Sequence, residues 1–409
     1  MARLAGIEEV REDADAAPVW RPLDGKSLAD PALCAELQRL IAAAGSSLLM
    51  HDPAWFGAGA AVPEAEPGAR PGALFVAHSA GSIVGYAPFV AGRRVLRFAL
   101  GELIFHRHGF SALSLLHDIV APGDAEVRTR LLRALFETLA SRLGRNDAVF
   151  LEGVPVGSPL HRLASAPTPA RGLLSLRLGE IFRHRFAELP ASFEEYEGQL
   201  GSSTRQSLRR QHRKLVQHVE GDLRLVRFSA ASEIAEFVSD ARKISQKTYQ
   251  WRLLGLGLRD AAALEDSLGF AARRGWLRSY ILYCRGEPVA FMLGYQYRGT
   301  YHYIDVGYDP AWAKWSVGSV LQMEMMKDLL DGPARPVLFD FSTGFGEHKA
   351  RFGHGSRDEV NLVLLRRCPR NMALAAFYAA SATADKRLAA GLDRLGVKKW
   401  AKRLLRRRA

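Results

Sequence analysis

Cysteine is scarce in this chain. Cys34, Cys284 and Cys368 are the only three in 409 residues, and no two lie close in sequence. That excludes a disulfide framework and a cysteine-built zinc site and fits a reducing compartment. Long apolar runs are also missing: none approaches the ~18–20 residues of a membrane-spanning helix. The N-terminus, MARLAGIEEVREDADAAP, turns acidic at once and lacks the apolar stretch of a signal peptide. The expectation is a cytoplasmic protein that uses no metal. What is present suits a globular fold. The chain is 48% apolar and 24% charged, and it is long enough for two cores, because single cores stop growing near ~250–300 residues.

Acidic residues are nearly absent from two stretches. From Lys386 to Arg408 there are ten Lys/Arg against the single acid Asp393, and STRQSLRRQHRKLVQHV (203–219) holds five cations and no acid, within a net charge of +13. Such segments suit phosphates, nucleic acid or anionic lipid. In 203–219, Leu208, Leu215 and Val219 form an apolar stripe, with Arg209, Arg210, Arg213 and Lys214 opposite. Ser203 and Gln206 have capping-box spacing. The basic face is either solvated or a surface for a phosphorylated sugar carrier or tRNA, with Arg209 and Arg213 as the contacts. The tail VKKWAKRLLRRRA (397–409) places Val397, Trp400, Ala401 and Leu404 at i, i+3, i+4, i+7 among seven cations. It reads as a basic amphipathic helix for the inner face of a membrane or as a solvated end.

Two segments repeat one pattern. FVAHSAGSIVGYAPFV (75–90) and YILYCRGEPVAFMLGY (280–295) are both apolar runs on either side of a glycine turn, a β-hairpin signal. The first is followed by strands VLRFAL (95–100) and LHDIVAP (116–122), a helix over 124–143 and a strand over 147–155. The second is followed by a strand over 301–310, a helix over 316–330 and a strand over 336–342. A repeat of roughly 200 residues is a domain duplication, since solenoid periods are ~20–50. The segment LLSLRLGEIFRHRF (173–186), helices to about 275 and a last strand over 359–367 complete a mixed sheet with helices on both faces, an α/β (α+β) fold. The divisions expected are 1–172, 173–367 and a basic helical tail, 368–409.

Chemistry gathers late in the chain. The helix after strand 301–310 opens on Ser316-Val317-Gly318-Ser319, and a helix start with small residues presents free N–H groups to an anion. DFSTGFGEHKARFG (340–353) has neither the spacing of a Walker loop nor that of a dinucleotide fingerprint. Asp340 ends a strand of buried character, so its carboxylate needs a partner, for which Lys349 and Arg351 are the candidates. The alternative is a solvated turn. If strands 301–307 and 336–342 are parallel neighbours, Asp305 and Asp340 approach at their C-terminal ends, and Tyr303 shares a face with Asp305 by alternation.

GEPVAFMLGY (286–295), SVGSVL (316–321) and FDFSTGFGEHKARFG (339–353) together resemble the GNAT acetyltransferase superfamily. The branch they resemble is the CelD-like group of cellulose and exopolysaccharide biosynthesis, related to the Fem-type transferases, with the resemblance spanning about 20–366. It implies tandem GNAT-like halves and acyl-CoA as co-substrate, held by Lys314, Ser316, Val317, Gly318 and Ser319. It implies Asp340, Lys349, Asp305 and Tyr303 as catalytic residues, and an amino-sugar or polysaccharide-precursor acceptor met by Arg209, Arg213 and Arg351. Tyr303 would protonate the leaving thiolate, and Lys349 would orient the polarised carbonyl. The chain departs from the family in one place: the pyrophosphate signature is reduced to KWSVGSV, with one glycine. The first half has no counterpart of the Lys349 loop, which implies a structural or acceptor-binding role. The rival readings are a Fem-type transferase using aminoacyl-tRNA and a non-catalytic scaffold at a membrane surface.

Overall fold

The computed structural model describes residues 17–23, 27–57, 73–101, 103–166, 168–248, 257–258, 261–332, 334–342 and 347–394. The tail 397–409, expected to be an amphipathic helix, lies outside the described residues, as do 343–346 of the glycine turn. The chain forms two compact units, one of Met1–Ser46, Met50–Phe182 and Asp358–Ala409, the other of Ser47–Leu49 and Arg183–Arg357.

The first unit is built from β1 (Val19–Leu23), α1 (Pro31–Ala43), α2 (Pro53–Gly57), β2 (Ala73–Ser79), β3 (Ser82–Leu100), β4 (Leu103–Leu116), α3 (Ala125–Arg142), β5 (Asp147–Pro155), α4 (Pro159–Ala164) and the first part of β6 (Leu173–Glu188). The second holds α5 (Phe193–Gln199), α6 (Ser202–His218), β7 (Leu223–Phe228), α7 (Ile234–Lys247), α8 (Ala261–Arg273), β8 (Ser279–Cys284), β9 (Glu287–Tyr297), β10 (Thr300–Tyr308), α9 (Val317–Asp331), β11 (Leu338–Asp340) and α10 (Glu347–Phe352). The chain returns to the first unit through β12 (Gly355–Arg366) and α11 (Pro369–Arg394).

Strand order is β1-β2-β3-β4-β5-β12-β6 in the first unit and β6-β11-β10-β9-β8-β7 in the second. Each unit contains an antiparallel meander, a helix and a returning parallel strand: β4 with β5 in one, β10 with β11 in the other. This is the mixed α/β fold with a duplicated motif that the sequence pattern predicts. The hairpin turns follow from local chemistry. Ala80-Gly81 and Arg285-Gly286 both sit at positive φ, the conformation two-residue hairpin loops need. At Gly294 a Cβ would stand 2.2 Å from the Tyr301 hydroxyl, so only glycine lets β9 pass that ring.

The core of the first unit gathers Phe75, Phe89, Leu115, Leu132, Phe136, Val149 and Leu364 between the sheet and α3. That of the second gathers Tyr280, Met292, Tyr301, Val317, Leu321, Met325 and Phe339.

The structure departs from expectation at several places. VLRFAL is the continuation of the 19-residue β3 rather than a separate strand. LHDIVAP is not a strand. His117 takes φ 62°, which ends β4, and only Val120 bridges back, to Tyr86. The division between units falls inside β6 and near the start of β12, not at 172 and 367. The reason is pairing: β12 lies along β5 (Val363 opposite Phe150), so α11, whose Leu374 and Tyr378 pack on Phe98, Phe110 and Val363, belongs with the first unit. The capping box at Ser203 is not formed, because α6 begins at Ser202 with Gly201 at its N-cap and no side-chain cap.

Candidate active site

The site begins where two parallel strands part. β11 is three residues long and pairs with β10 only at Thr300–Leu338, Tyr301–Phe339 and His302–Asp340. β10 continues to Tyr308 along β9. After Asp340 the chain instead follows β6, with the Phe341 N–H donating to the Arg185 carbonyl at 3.1 Å. Among the described residues, the pairing of β10 with β11 therefore ends at His302. Ligands enter at such openings beyond the C-terminal ends of parallel strands.

The helix that follows β10 supplies the electrostatics. Residues Pro310–Trp315 form a 3-10 turn capped by Asp309, and Ser316 takes a left-handed conformation (φ 56°, ψ 37°) before α9 begins. No side chain caps α9 and its first turn carries no acid. The leading amides of Val317 and Gly318 and the positive end of the helix dipole are thus presented uncompensated. Arg351 adds charge there, donating to the Ser319 hydroxyl at 3.4 Å. At Gly318 a Cβ would stand 3.5 Å from Tyr308, an ordinary contact. Val317 is part of the core, so it is the backbone of that residue that faces the opening. Lys314 is exposed and lies over the Trp315 ring, which also stacks on His218 at 3.9 Å.

On the α9 side of the sheet the strand residues form an aromatic layer. Tyr301 stacks on Phe339 (4.9 Å), Phe339 meets Phe341 (4.4 Å), and Tyr303 meets Phe341 (5.9 Å). Lys349 stands over the Tyr303 ring at 5.7 Å and donates to the Ser342 carbonyl at 3.4 Å. Burial, and next the Asp305 charge, push the Tyr303 phenol far above its ordinary value, so it holds its proton throughout the neutral range. A bulge lies between Tyr303 and Asp305. Simple alternation therefore does not carry from Tyr303 to Asp305, although the Asp305 charge acts on the Tyr303 phenol. Asp305 accepts the N–H of Val306 at 2.8 Å.

Asp340 turns the other way, because alternation along β11 sends it to the face opposite Phe339 and Phe341. The expected pair with Lys349 or Arg351 does not form. Its Oδ1 instead accepts His184 Nε2 at 2.7 Å and the Ser342 N–H at 2.7 Å. Burial by itself would raise the carboxyl, but the hydrogen bond and charge of His184, with His302 and the Ser342 amide, hold it well below the usual carboxylate range. His302 donates from Nε2 to the Ser47 carbonyl at 2.8 Å, and burial lowers its pKa. His184 is 1% exposed, Asp340 7% and Lys349 8%. The stretch around Lys349 is thus a short helix that buries Lys349 and Phe352 rather than a solvated loop. A chain of contacts runs from His184 through Asp340 to Ser342, held at φ 59°, and on to Lys349.

On α6 the predicted pattern is present, with Leu208 and Leu215 buried and Arg209, Arg210, Arg213 and Lys214 exposed. The face is not free of acids in three dimensions. Glu197 of α5 takes Arg209 in a two-pronged pair at 2.9 and 2.5 Å, and Glu324 of α9 takes His212 at 3.1 Å. Arg209 is therefore charge-paired with α5, which leaves Arg213 as the one of the two with no carboxylate partner among the described residues.

Residues 202–350 match the family model described as an acetyltransferase (GNAT) domain. This segment is a GNAT-type acyltransferase domain. It begins at α6 and includes the strand opening, the start of α9 and Lys349. The chain is accordingly an enzyme of the acyltransferase class. No curated protein sequence matches it. Among solved structures, FemX is similar over 82% of this chain and 97% of its own, with a TM-score of 0.53 and 11% identity. A tandem GNAT protein from the clavulanic acid biosynthesis pathway is similar over 86% and 99%, with a TM-score of 0.48 and 12% identity. L-PGS from Bacillus licheniformis is similar over 85% and 96%, at 0.46 and 15%. At 11% identity the likeness to FemX is one of fold.

His184, Ser342 and the His218–Trp315 stack were not legible in the sequence. His184 lies 156 residues from Asp340, in a segment whose only signal was that of a strand.

Proposed function

We propose that the second unit transfers an acyl group from acyl-CoA to an amine or hydroxyl of an amino sugar or another precursor of a bacterial cell-envelope polysaccharide. One observation carries the reading. Within the GNAT-matched segment, β10 and β11 part after His302 and Asp340, directly before the uncapped start of α9. The amides of Val317 and Gly318, Ser316, Ser319 and Arg351 fit a pyrophosphate, with Lys314 at the outer edge. The acyl chain then lies along β10 beyond its last pairing with β11, at His302 and Asp340. The acceptor nitrogen or oxygen bonds to the acyl carbon, the C–S bond breaks, the acceptor gives up a proton and the thiolate gains one. Tyr303, protonated at neutral pH, is the donor toward the sulfur, and Asp305 receives the acceptor's proton. Lys349 supplies positive charge for the carbonyl oxygen. Asp340 acts as a positioning group: it fixes Ser342, whose carbonyl holds Lys349.

The first unit serves acceptor binding or structure in this reading. Its support is that α3, the counterpart of α9, has a carboxylate on its leading amides, Asp124 accepting from Glu126 and Val127. A second reading, transfer from aminoacyl-tRNA, has its own support in the exposed Arg210, Arg213 and Lys214 of α6. The test is to incubate the protein with a panel of acyl-CoAs and amino-sugar acceptors and to follow acceptor mass, alongside melting with each donor. Acyl-CoA is expected to raise Tm and an acceptor to gain the acyl mass. A protein protected by charged tRNA and indifferent to every acyl-CoA would establish the second reading instead.

A further inference from the structure

We propose that the first unit docks on an anionic lipid bilayer through the tip of the β3–β4 hairpin and the outward face of α11. The proposal is independent of the acyl donor.

α11 is apolar on part of its outward side as well as where Leu374 and Tyr378 pack inward. In an ordinary surface helix the apolar stripe faces the protein and the charges face water. Here the inward side of α11 includes Asn371, fully buried, and Asp385, whose carboxylate takes the Gly101 N–H at the hairpin tip. The outward side carries Phe377 (50% exposed) and Leu388 (45%), interleaved with alanines, and from Met372 to Thr383 there is no charged residue at all. The hairpin continues the surface. Leu100, Leu103, Ile104 and Phe105 are exposed, Leu103 by 67%. Phe105 and Phe98 reach the Phe377 ring at 6.0 and 5.1 Å, which joins the hairpin and the helix into one apolar patch. Patches of this kind on a folded protein mark a docking surface.

Charge selects the occupant. Arg97 and Arg107 of the hairpin and Arg370 and Arg387 of α11 are exposed around the patch. Acids are few: β3 and β4 with their turn contain only Glu102, Asp385 is engaged as above, and Glu180 of β6 pairs with Lys386. The chain that follows α11 adds seven cations and no acid over 395–409. A second copy of this surface would set cations against cations. An anionic lipid surface would receive the apolar tip and helix face in its interfacial layer while its head groups paired with the surrounding Lys and Arg.

The test is flotation of the full-length protein with phosphatidylcholine vesicles, with and without about 30% phosphatidylglycerol. Two variants, Leu103→Ser/Phe105→Ser and Phe377→Ser/Leu388→Ser, remove apolar groups that are already exposed; melting curves verify that each is folded, and the hairpin pair stands alone should the helix pair not fold. The proposal expects binding to the anionic vesicles only, weakened roughly tenfold or more in each folded variant. Three results would overturn it: no binding of the wild type at low salt; variants that bind as the wild type does, which would leave the cations as the whole cause; or a dimer in solution that the variants dissociate, which would make a second copy the occupant.

Discussion

α3 and α9 occupy the same place in the two halves of a duplicated plan, each leaving the last strand of a meander and leading to a parallel strand. They differ at their first turns. α3 starts on Asp124, whose carboxylate takes the amides of Glu126 and Val127 at 2.9 Å each, and Glu126 adds a second acid. α9 starts on a left-handed Ser316 with no cap and no acid. Their strands differ in the same sense. β4 and β5 stay paired over six positions, through Leu116 and Glu152, whereas β10 and β11 part after three. One copy spends its helix dipole on its own side chain; the other leaves the dipole uncapped and parts its parallel strands early. A fold can be duplicated without duplicating a site, because the site depends on what the helix start lacks and on where the strands part.

The comparison can be broken at specific residues. The largest effect is expected at Lys349, which has no counterpart in the N-terminal half. Lys349→Met keeps most of the buried stem and removes the charge, and turnover should fall by a factor on the order of 10²–10³. Near-normal turnover in a folded Lys349→Met protein would sink the role given to it.

Next is Gly318→Glu. Gly318 is the second residue of α9, as Glu126 is of α3, so the substitution imposes on α9 the acid that α3 carries. Acyl-CoA affinity, measured by calorimetry, should fall on the order of 100-fold, with Tm unchanged or slightly higher because an acid suits a helix start. Unchanged affinity would take this helix out of the donor site.

Asp340→Asn tests positioning against direct chemistry. Loss of the buried charge-assisted bond to His184 should cost on the order of 2 kcal/mol. The wild-type carboxyl has a folded pKa below its ordinary 3.8, so the stability it contributes is complete above that value and is lost as pH falls below it toward the folded pKa. The variant should lose this part of the acid sensitivity. It should also keep the pH profile of kcat, since a positioning group does not exchange a proton with substrate. A displaced profile would make Asp340 an acid–base residue.

The smallest effect belongs to Asp124→Ala. Uncapping α3 should lower Tm by a few degrees and leave acyl-CoA binding unchanged, because β4 and β5 remain closed. Donor binding lost in this variant would show that the first unit holds the donor.

Much of the plan was local and therefore legible. Glycine turns between apolar runs located both hairpins, helical spacing located α3, α6 and α9, and their order within each half was enough to infer a duplicated meander–helix–strand unit and its likeness to GNAT enzymes. The small residues at 316–319 marked the helix start correctly, since helix capping is decided within a few residues. What the sequence could not show was which side of a strand each charge would meet, and who would meet it. Asp340 and Lys349, nine positions apart, looked like partners. Alternation along β11 put them on opposite faces, and β6 brought in His184 from far away. The bulge after Tyr303 undid the alternation that seemed to align it with Asp305. Arg209 found Glu197 on another helix. In each case the partner was set by strand register and helix packing, which follow from burying the whole core at once, and a short window of sequence holds no record of that.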